Sequence, residues 1–202
     1  MARSAGNLRL ELDVNAIARE VDALLDAAPG FEGQLRVLVT RGGRRIALLE
    51  DVPEHKATVR LATVEYVPTR ILDQVKSLSY AANMLATRLA KEKDADEALL
   101  VTPHGRVLEA PTSSFFYVLD GSLHTPPIDD HILDSITRRH VMQLSDASER
   151  ITTTDDLQQI SEAFLASTTR EIQPVSAIDG RALDTGPQTH AVAKAFSERV
   201  HA

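Results

Sequence analysis

The pattern of apolar residues changes across residues 53–56, and this change constrains the fold more than any other feature of the sequence. Before this segment the pattern fits one amphipathic helix and two strands, whereas short strands dominate after it. A chain of 202 residues can form a small domain joined to a larger one. We therefore expect a small N-terminal domain at residues 1–55 and a large domain at residues 58–202.

One helix and one hairpin are expected in the first segment. The helix begins near Asp13 and stops at Pro29-Gly30, because proline and glycine end helices. Two strands follow at residues 35–40 and 44–49, and the turn Arg41-Gly42-Gly43 joins them, since glycine adopts a positive φ at little cost. The apolar face of the helix consists of Ile17, Val21, Leu24 and Leu25.

The second segment is predicted to be rich in strands. Residues 58–67 contain many β-branched side chains, which favour a strand, and Asp120-Gly121 is a strong hairpin signal. We expect a meander of strands at residues 98–101, 106–108, 114–119 and 123–125, with a later apolar strand at 163–166. Helices are predicted at residues 83–93, 135–144, 154–160 and 189–200.

Composition excludes several kinds of function. The formal net charge of −7, without a basic stretch interleaved with aromatic residues, argues against a nucleic-acid partner. No apolar run approaches the roughly 20 residues needed to cross a bilayer, and no signal-peptide pattern opens the chain, so we expect a cytoplasmic protein with no membrane partner. Without cysteine there is no thiolate nucleophile, and the seven histidines lack metal-ligand spacing, so no metal is expected.

Lys76 and Glu109 supply two groups that a carbonyl cofactor needs. Lys76 lies in the segment Asp-Gln-Val-Lys-Ser-Leu-Ser-Tyr, and only five of the 22 basic residues are lysines. A Schiff base requires a primary amine, and an electron-withdrawing ring requires an acid beside its nitrogen. Glu109 ends a short predicted strand, where its carboxylate can approach such a ring. A surface lysine and a solvated acid are the alternative reading of these two residues.

Two further segments contain candidate groups for binding a phosphate. Ser167, Thr168 and Thr169 form a cluster of hydroxyls after an apolar strand. Ile136 and Thr137 lie at the predicted start of a helix, where unpaired N–H groups and the helix dipole favour an anion. A simple turn and a simple helix cap would explain the same residues.

Taken in order, these segments resemble a known family. From Lys76 to Val175 the sequence resembles the class IV, fold-type IV pyridoxal-phosphate enzymes, which include branched-chain aminotransferases, D-amino-acid aminotransferases and aminodeoxychorismate lyases. The motifs that carry the resemblance are Lys-Ser-Leu-Ser-Tyr at residue 76, Glu-Ala-Pro-Thr-Ser-Ser-Phe-Phe at 109, Ile-Leu-Asp-Ser-Ile-Thr-Arg at 132 and Ser-Thr-Thr-Arg-Glu at 167.

The resemblance implies a mixed α/β (α+β) fold with a small N-terminal α/β domain and a larger, β-rich pseudo-barrel. It also implies pyridoxal 5'-phosphate as cofactor, a homodimer, and an amino acid and a 2-oxo acid as substrates. Lys76 is expected to form the Schiff base and to shuttle a proton, and Glu109 to keep the ring nitrogen protonated. The phosphate is expected to lie against Ser167, Thr168, Ile136 and Thr137, and Tyr80 to reach the cofactor O3′.

Substrate choice stays open. Arg41, in Thr-Arg-Gly, resembles the carboxylate-binding position of the D-amino-acid branch, whereas Arg36 lies nearer the arginine of the branched-chain branch. The resemblance leaves three functions: an aminotransferase, an aminodeoxychorismate lyase that releases pyruvate and 4-aminobenzoate, and a truncated, non-catalytic homologue.

The sequence departs from the family pattern in two ways. Met1 aligns to the middle of the family's first domain, just after an arginine that binds the cofactor phosphate, so we expect the true start codon to lie upstream. Within the motifs, Ala110-Pro111 replaces glycine-serine, Ser114 replaces asparagine and Ser135 replaces glycine.

Overall fold

The computed structural model describes residues 1–201, which form two compact units. The first unit contains Met1–Glu54 together with Gln74–Lys76. The second contains His55–Asp73 and the chain from Ser77 onward. Lys76 therefore makes its contacts with the first unit, although its position in the sequence is within residues 58–202, where we expect the large domain.

In the first unit, helices α1 (Ala2–Asn7) and α2 (Val14–Asp26) precede an antiparallel hairpin of β1 (Gln34–Val39) and β2 (Arg45–Glu50). The α2 helix begins where the sequence predicts, because the Asp13 carboxylate accepts a hydrogen bond from the Ala16 N–H at 2.8 Å and so caps it. The predicted hairpin is likewise confirmed, whereas α1 was not predicted.

The second unit is built on an eight-stranded mixed sheet. Along the sheet the order is β4-β3-β9-β8-β5-β6-β7, and β10 pairs with β9. The strands are β3 (Val59–Glu65), β4 (Glu97–Val101), β5 (Ser114–Leu119), β6 (Ser122–Thr125), β7 (Ser148–Glu149), β8 (Glu162–Ser167), β9 (Glu171–Ile178) and β10 (Arg181–Ala182).

The predicted meander is wrong in its first half. The hairpin of β5 and β6 forms as expected, but β4 pairs in parallel with β3, and residues 106–108 make only isolated bridges. Every residue of β4 is buried, which is typical of a parallel strand covered on both faces. An apolar run of this kind carries no information about the direction of its neighbour.

Three long helices pack on the sheet of the second unit: α3 (Ala81–Glu92), α4 (Ile136–Leu144) and α5 (Pro187–Val200). The prediction of a helix at residues 154–160 is wrong, since only a 3₁₀ turn, Asp156–Gln158, forms there. The turn is stabilised by Asp156, whose carboxylate accepts hydrogen bonds from both the N–H (2.7 Å) and the hydroxyl (2.8 Å) of Thr153. Such local bonding favours a turn over a helix.

Alternate side chains of the central strands fill two different cores. Phe115, Tyr117 and Leu165 lie in one cluster, whereas Phe116 and Phe164 lie in the cluster that α4 and α5 cover. A third cluster lies beneath α3. This layering of helices on a mixed sheet confirms the expected mixed α/β class.

Candidate functional site

Lys76 lies in the connection that leads from β3 to α3. Its side chain is exposed, and its backbone N–H donates a hydrogen bond to the Ser4 hydroxyl at 3.0 Å. Two residues earlier, Gln74 adopts a left-handed backbone with φ of 60°, which turns the chain sharply before the lysine. The amine is thus presented from an irregular segment that is fixed through its backbone.

Glu109 follows β4 and lies between Val107 and Ala110, each of which forms an isolated β-bridge. Its carboxylate Oε1 accepts a hydrogen bond from the Leu133 N–H at 2.9 Å, so the loop that leads to α4 fixes the side chain. Burial raises the pKa of the neighbouring Tyr66 hydroxyl, and the negative charge of Glu109 raises it further. An ionised carboxylate in this half-buried position can pair with a protonated ring nitrogen.

The turn after Glu109 is held by residues at the start of α3. The Tyr80 hydroxyl and the Asn83 side-chain amide both donate to the Pro111 carbonyl oxygen, at 3.2 and 2.8 Å. Tyr80 was predicted to contact the cofactor. Its hydroxyl contacts protein backbone here.

The N-terminus of α4 contains the predicted pair Ile136 and Thr137. Ser135 caps this helix, since its hydroxyl oxygen accepts a hydrogen bond from the Arg138 N–H at 3.0 Å. Ile136 is 65% exposed, whereas Thr137 is buried. With Arg138 N–H satisfied by the cap, the N–H groups of Ile136 and Thr137 are the donors that an anion would meet at this helix end.

Ser114 links this helix end to the predicted hydroxyl cluster. Its hydroxyl oxygen lies 3.2 Å from that of Ser135. On the sheet Ser114 pairs with Ala166, the residue before Ser167, because β5 and β8 run antiparallel. The structure therefore brings the α4 N-terminus and the turn that begins with Ser167 and Thr168 onto adjoining elements.

The two candidate arginines of the first unit differ in their contacts. Arg36 in β1 donates from Nε to the Glu50 carboxylate at 2.6 Å. Arg41 lies in the exposed turn between β1 and β2. Of these two arginines, Arg36 forms an ion pair with Glu50, whereas Arg41 forms none with the residues that the structure describes.

Two contacts near these segments were not predicted from sequence. His131 Nδ1 lies 2.6 Å from the Asp73 carboxylate, which is three residues before Lys76. The Arg170 guanidinium, directly after the hydroxyl cluster, forms a buried ion pair with Glu97 at 2.8 Å. Arg170 could have been singled out by its place in the Ser-Thr-Thr-Arg-Glu motif, but its partner lies 73 residues away.

Two absences hold for the residues that the structure describes. Among residues 1–201 there is no group of three or more histidine, aspartate or glutamate side chains that could hold a metal ion. Within the same range, every helix is too short or too polar to cross a membrane.

Comparison with known proteins gives consistent matches. The amino-transferase class IV family model matches residues 1–178. D-alanine aminotransferase of Bacillus licheniformis is 34% identical over 117 residues, which cover 55% of this chain and 41% of that protein. Branched-chain-amino-acid aminotransferase of Pseudomonas aeruginosa is 32% identical over 130 residues, which cover 60% of this chain and 42% of that protein. The chain spans about half the length of the curated relatives it matches.

Solved structures extend the similarity to nearly the whole chain. The branched-chain aminotransferase from Thermoproteus uzoniensis with norvaline superposes with a TM-score of 0.82 at 28% identity, covering 98% of this chain and 75% of that chain. The PLP-bound form of a hypothetical aminotransferase from Mycobacterium tuberculosis gives a TM-score of 0.83 at 25% identity, covering 98% of this chain and 81% of that chain. The same protein is also known with alpha-ketoglutarate and PMP bound.

Proposed function

The chain belongs to the amino-transferase class IV family, and on this premise we propose that it acts as a pyridoxal-phosphate-dependent aminotransferase. The reaction would move an amino group from an amino acid to a 2-oxo acid. The observation that carries the proposal is the contact of Ser114 with Ser135 and its pairing with Ala166. Through Ser114, the two predicted anion-binding segments lie on adjoining elements of the second unit.

The residues present fit the cofactor by their chemistry. Ser167 and Thr168 offer hydroxyls, and Ile136 and Thr137 offer backbone N–H groups at a helix N-terminus, so the four would hold the phosphate. When bound, pyridoxal phosphate supplies an electron-withdrawing ring that stabilises negative charge on the substrate α-carbon.

Lys76 and Glu109 would have separate tasks. Lys76 Nζ would attach the cofactor, and after the substrate displaces it, the same amine would take the proton from the substrate α-carbon. Glu109 would hold a proton on the ring nitrogen through its charge, and its bond to the Leu133 N–H fixes the carboxylate for this task. These assignments rest on the family motifs and on the local geometry of each residue.

Substrate recognition would fall to an arginine, since arginine binds a carboxylate with two parallel hydrogen bonds. We assign this role to Arg41 in preference to Arg36, because Arg36 already pairs with Glu50. The relatives' names cover both D-alanine and branched-chain amino acids, and norvaline and alpha-ketoglutarate are bound in solved structures of relatives. The substrates proposed here are therefore an amino acid and a 2-oxo acid, and a homodimer is proposed from the family resemblance.

The test uses the 202-residue chain with added pyridoxal phosphate. Its visible absorption spectrum is recorded, and borohydride reduction with peptide mapping then locates the labelled lysine. We expect the label on Lys76, its loss in Lys76→Ala, and its retention in Lys91→Ala, which alters an exposed lysine on α3. No label on the unaltered chain would contradict the proposal and favour a non-catalytic homologue.

The reaction type needs a second assay. Transamination is measured with a panel of amino acids and a 2-oxo acid acceptor. Lyase activity is measured as the release of pyruvate from aminodeoxychorismate. Transfer of the amino group without pyruvate release from aminodeoxychorismate is the expected result. Pyruvate release alone would assign the lyase reaction to the same lysine and glutamate.

A further inference from the structure

The Arg170 side chain is directed into the protein rather than along the turn that precedes it. Only 14% of the side chain is exposed. Its Nη2 donates to the Glu97 carboxylate at 2.8 Å, and its Nη1 donates to the Gln173 side-chain oxygen at 2.5 Å. Both terminal nitrogens of the guanidinium are therefore bonded to buried partners.

Glu97, the acid of this ion pair, is itself held on both oxygens. Its side chain is 5% exposed, and its second oxygen accepts hydrogen bonds from the Thr87 hydroxyl at 2.5 Å and from the Ala98 N–H at 3.3 Å. Gln173 is also fixed, because its amide donates to the Lys56 carbonyl oxygen at 2.7 Å. The Arg170 side chain thus enters a polar network that joins α3, β4 and β9.

The same residue belongs to the turn between β8 and β9. The Arg170 N–H donates to the Ser167 hydroxyl at 3.4 Å, and Glu171 follows with a positive φ of 52°. His55 Nε2 lies 3.3 Å from the Thr169 hydroxyl, and burial followed by the charge of Arg170 lowers the pKa of His55. The backbone that carries the hydroxyls of Ser167 and Thr168 is therefore continuous with a buried anchor.

We propose that Arg170 is a positioning residue, which fixes the turn at residues 167–169 for the cofactor phosphate without binding the phosphate itself. The inference rests on the proposed function, since it concerns the same phosphate. An arginine directly after three hydroxyl residues would be the natural sequence candidate for direct phosphate contact. Its two terminal nitrogens are instead bonded to Glu97 and Gln173, and its charge is paired with a carboxylate that lies in the core.

Anchoring a turn strengthens binding because the turn is ordered before the ligand arrives. Loosening the contacts of Arg170 with Glu97 and Gln173 should therefore weaken every interaction of the turn with a phosphate. The interactions of the protein with the rest of the cofactor should not change. Pyridoxal, which lacks the phosphate, provides the comparison. A residue that merely supported the fold would change the affinity for pyridoxal and for pyridoxal phosphate alike.

The experiment measures the Kd of pyridoxal phosphate and of pyridoxal for the full chain and two variants. Arg170→Met removes the guanidinium, and Glu97→Gln weakens its anchor from the other side. We expect both substitutions to raise the Kd of pyridoxal phosphate about tenfold or more and to leave the Kd of pyridoxal unchanged. Arg170→Lys, which keeps the charge near Glu97, should restore part of the affinity for pyridoxal phosphate.

If Arg170 bound the phosphate directly, Glu97→Gln would change the Kd of pyridoxal phosphate in the opposite direction. Removing the Glu97 charge would then leave the guanidinium with more positive charge for the phosphate, and pyridoxal phosphate would bind more tightly. That result would overturn the inference, as would an equal loss of affinity for pyridoxal in both variants.

A third variant guards against misfolding, because Arg170→Met leaves Glu97 as an unpaired buried charge. The double substitution Glu97→Leu with Arg170→Met removes both charges and fills the space with apolar atoms. It should fold and show the same selective loss for pyridoxal phosphate, and affinity equal to that of the unaltered chain would overturn the inference. If the unaltered chain bound neither ligand, the proposed function itself would fail, and this inference with it.

Discussion

Ser114 and Ser135 contact each other through their hydroxyl oxygens, 3.2 Å apart, although 21 residues separate them in the chain. Ser135 also caps α4 through the Arg138 N–H. The pair thus connects the first residue of β5 to the helix end that we propose for the phosphate.

This contact predicts coupling between the two serines. Ser135→Ala should lower the free energy of unfolding by about 1 kcal/mol, because it removes a helix cap. Ser114→Ala should cost less, since Ser135 keeps its bond to Arg138. A double-mutant cycle by urea unfolding should give a coupling energy of roughly 0.5–1 kcal/mol.

The neighbouring Ser113 offers a matched control. Its hydroxyl is buried, and it has no hydrogen-bond partner among the residues that the structure describes. Ser113→Ala should therefore change stability little and show no coupling to Ser135→Ala. Additive effects of Ser114→Ala and Ser135→Ala would mean that the two hydroxyls do not interact.

Glu109→Gln separates the charge of Glu109 from its shape. The glutamine oxygen can still accept the Leu133 N–H, so the free energy of unfolding should stay within about 1 kcal/mol of its original value. Transamination should fall about 10²-fold in kcat, because the ring nitrogen loses the charge that keeps it protonated. Steady-state kinetics on the variant check this, and Glu65→Gln, at the exposed end of β3, is the control. Full activity of Glu109→Gln would remove Glu109 from the cofactor site.

Elements with a local signal could be predicted from sequence, and elements that depend on distant pairing could not. The α2 helix and the hairpin of β1 and β2 each have their cap, turn and apolar pattern within one short stretch. The order of the large sheet depends on pairs such as Val59 with Val175, which no local pattern specifies. Strand β9 was missed because Pro174 interrupts its pattern, and proline is normally evidence against an interior strand.

The same distinction applies to the candidate site. Lys76 and Glu109 could be singled out because few residue types perform their chemistry. The contact of Ser114 with Ser135 and the ion pair of Arg170 with Glu97 join segments that are far apart in sequence, so only the fold reveals them. For Arg170 this changes the interpretation, since residue type alone would assign it to the phosphate.

Arg41→Gln should raise the KM for both substrates. Loss of one charge-assisted hydrogen bond of about 1.5–3 kcal/mol corresponds to roughly a 10- to 100-fold increase. Arg41 lies in an exposed turn, so the free energy of unfolding should not change measurably. Initial rates over a range of amino-acid and 2-oxo-acid concentrations test this.

Arg36→Gln is the matched control for Arg41→Gln. It removes an ion pair with Glu50 in which the arginine side chain is 52% exposed, and such a pair stabilises by less than about 1 kcal/mol. Its KM values should stay at those of the unaltered enzyme. An increased KM in Arg36→Gln alone would assign the substrate carboxylate to Arg36 and favour the branched-chain branch of the family.

The environment of Asp96 leads us to expect that the free energy of unfolding depends on pH in the acid range. Burial raises the pKa of its carboxyl, but hydrogen bonds from the Lys56 side chain (2.6 Å) and the Arg60 N–H (2.9 Å) outweigh burial and bring the pKa to about 2, against an ordinary value of 3.8. Because the folded chain has the lower pKa, this stabilisation is complete well above pH 3.8 and is lost as the pH falls through 2. Between pH 5 and pH 3 its share of the unfolding free energy should fall by about 1 kcal/mol.

Urea unfolding at pH 5 and pH 3 measures that share by comparing the unaltered chain with Asp96→Asn. The amide cannot ionise, so the variant should be less stable at pH 5 and should lose about 1 kcal/mol less on acidification. Asp94→Asn, at an exposed neighbouring position, should leave the pH dependence unchanged. Since the Lys56 side chain is 71% exposed, salt should reduce the effect of Asp96 by screening. Equal acid dependence in the unaltered chain and Asp96→Asn would mean that Lys56 and Arg60 do not hold the carboxylate in solution.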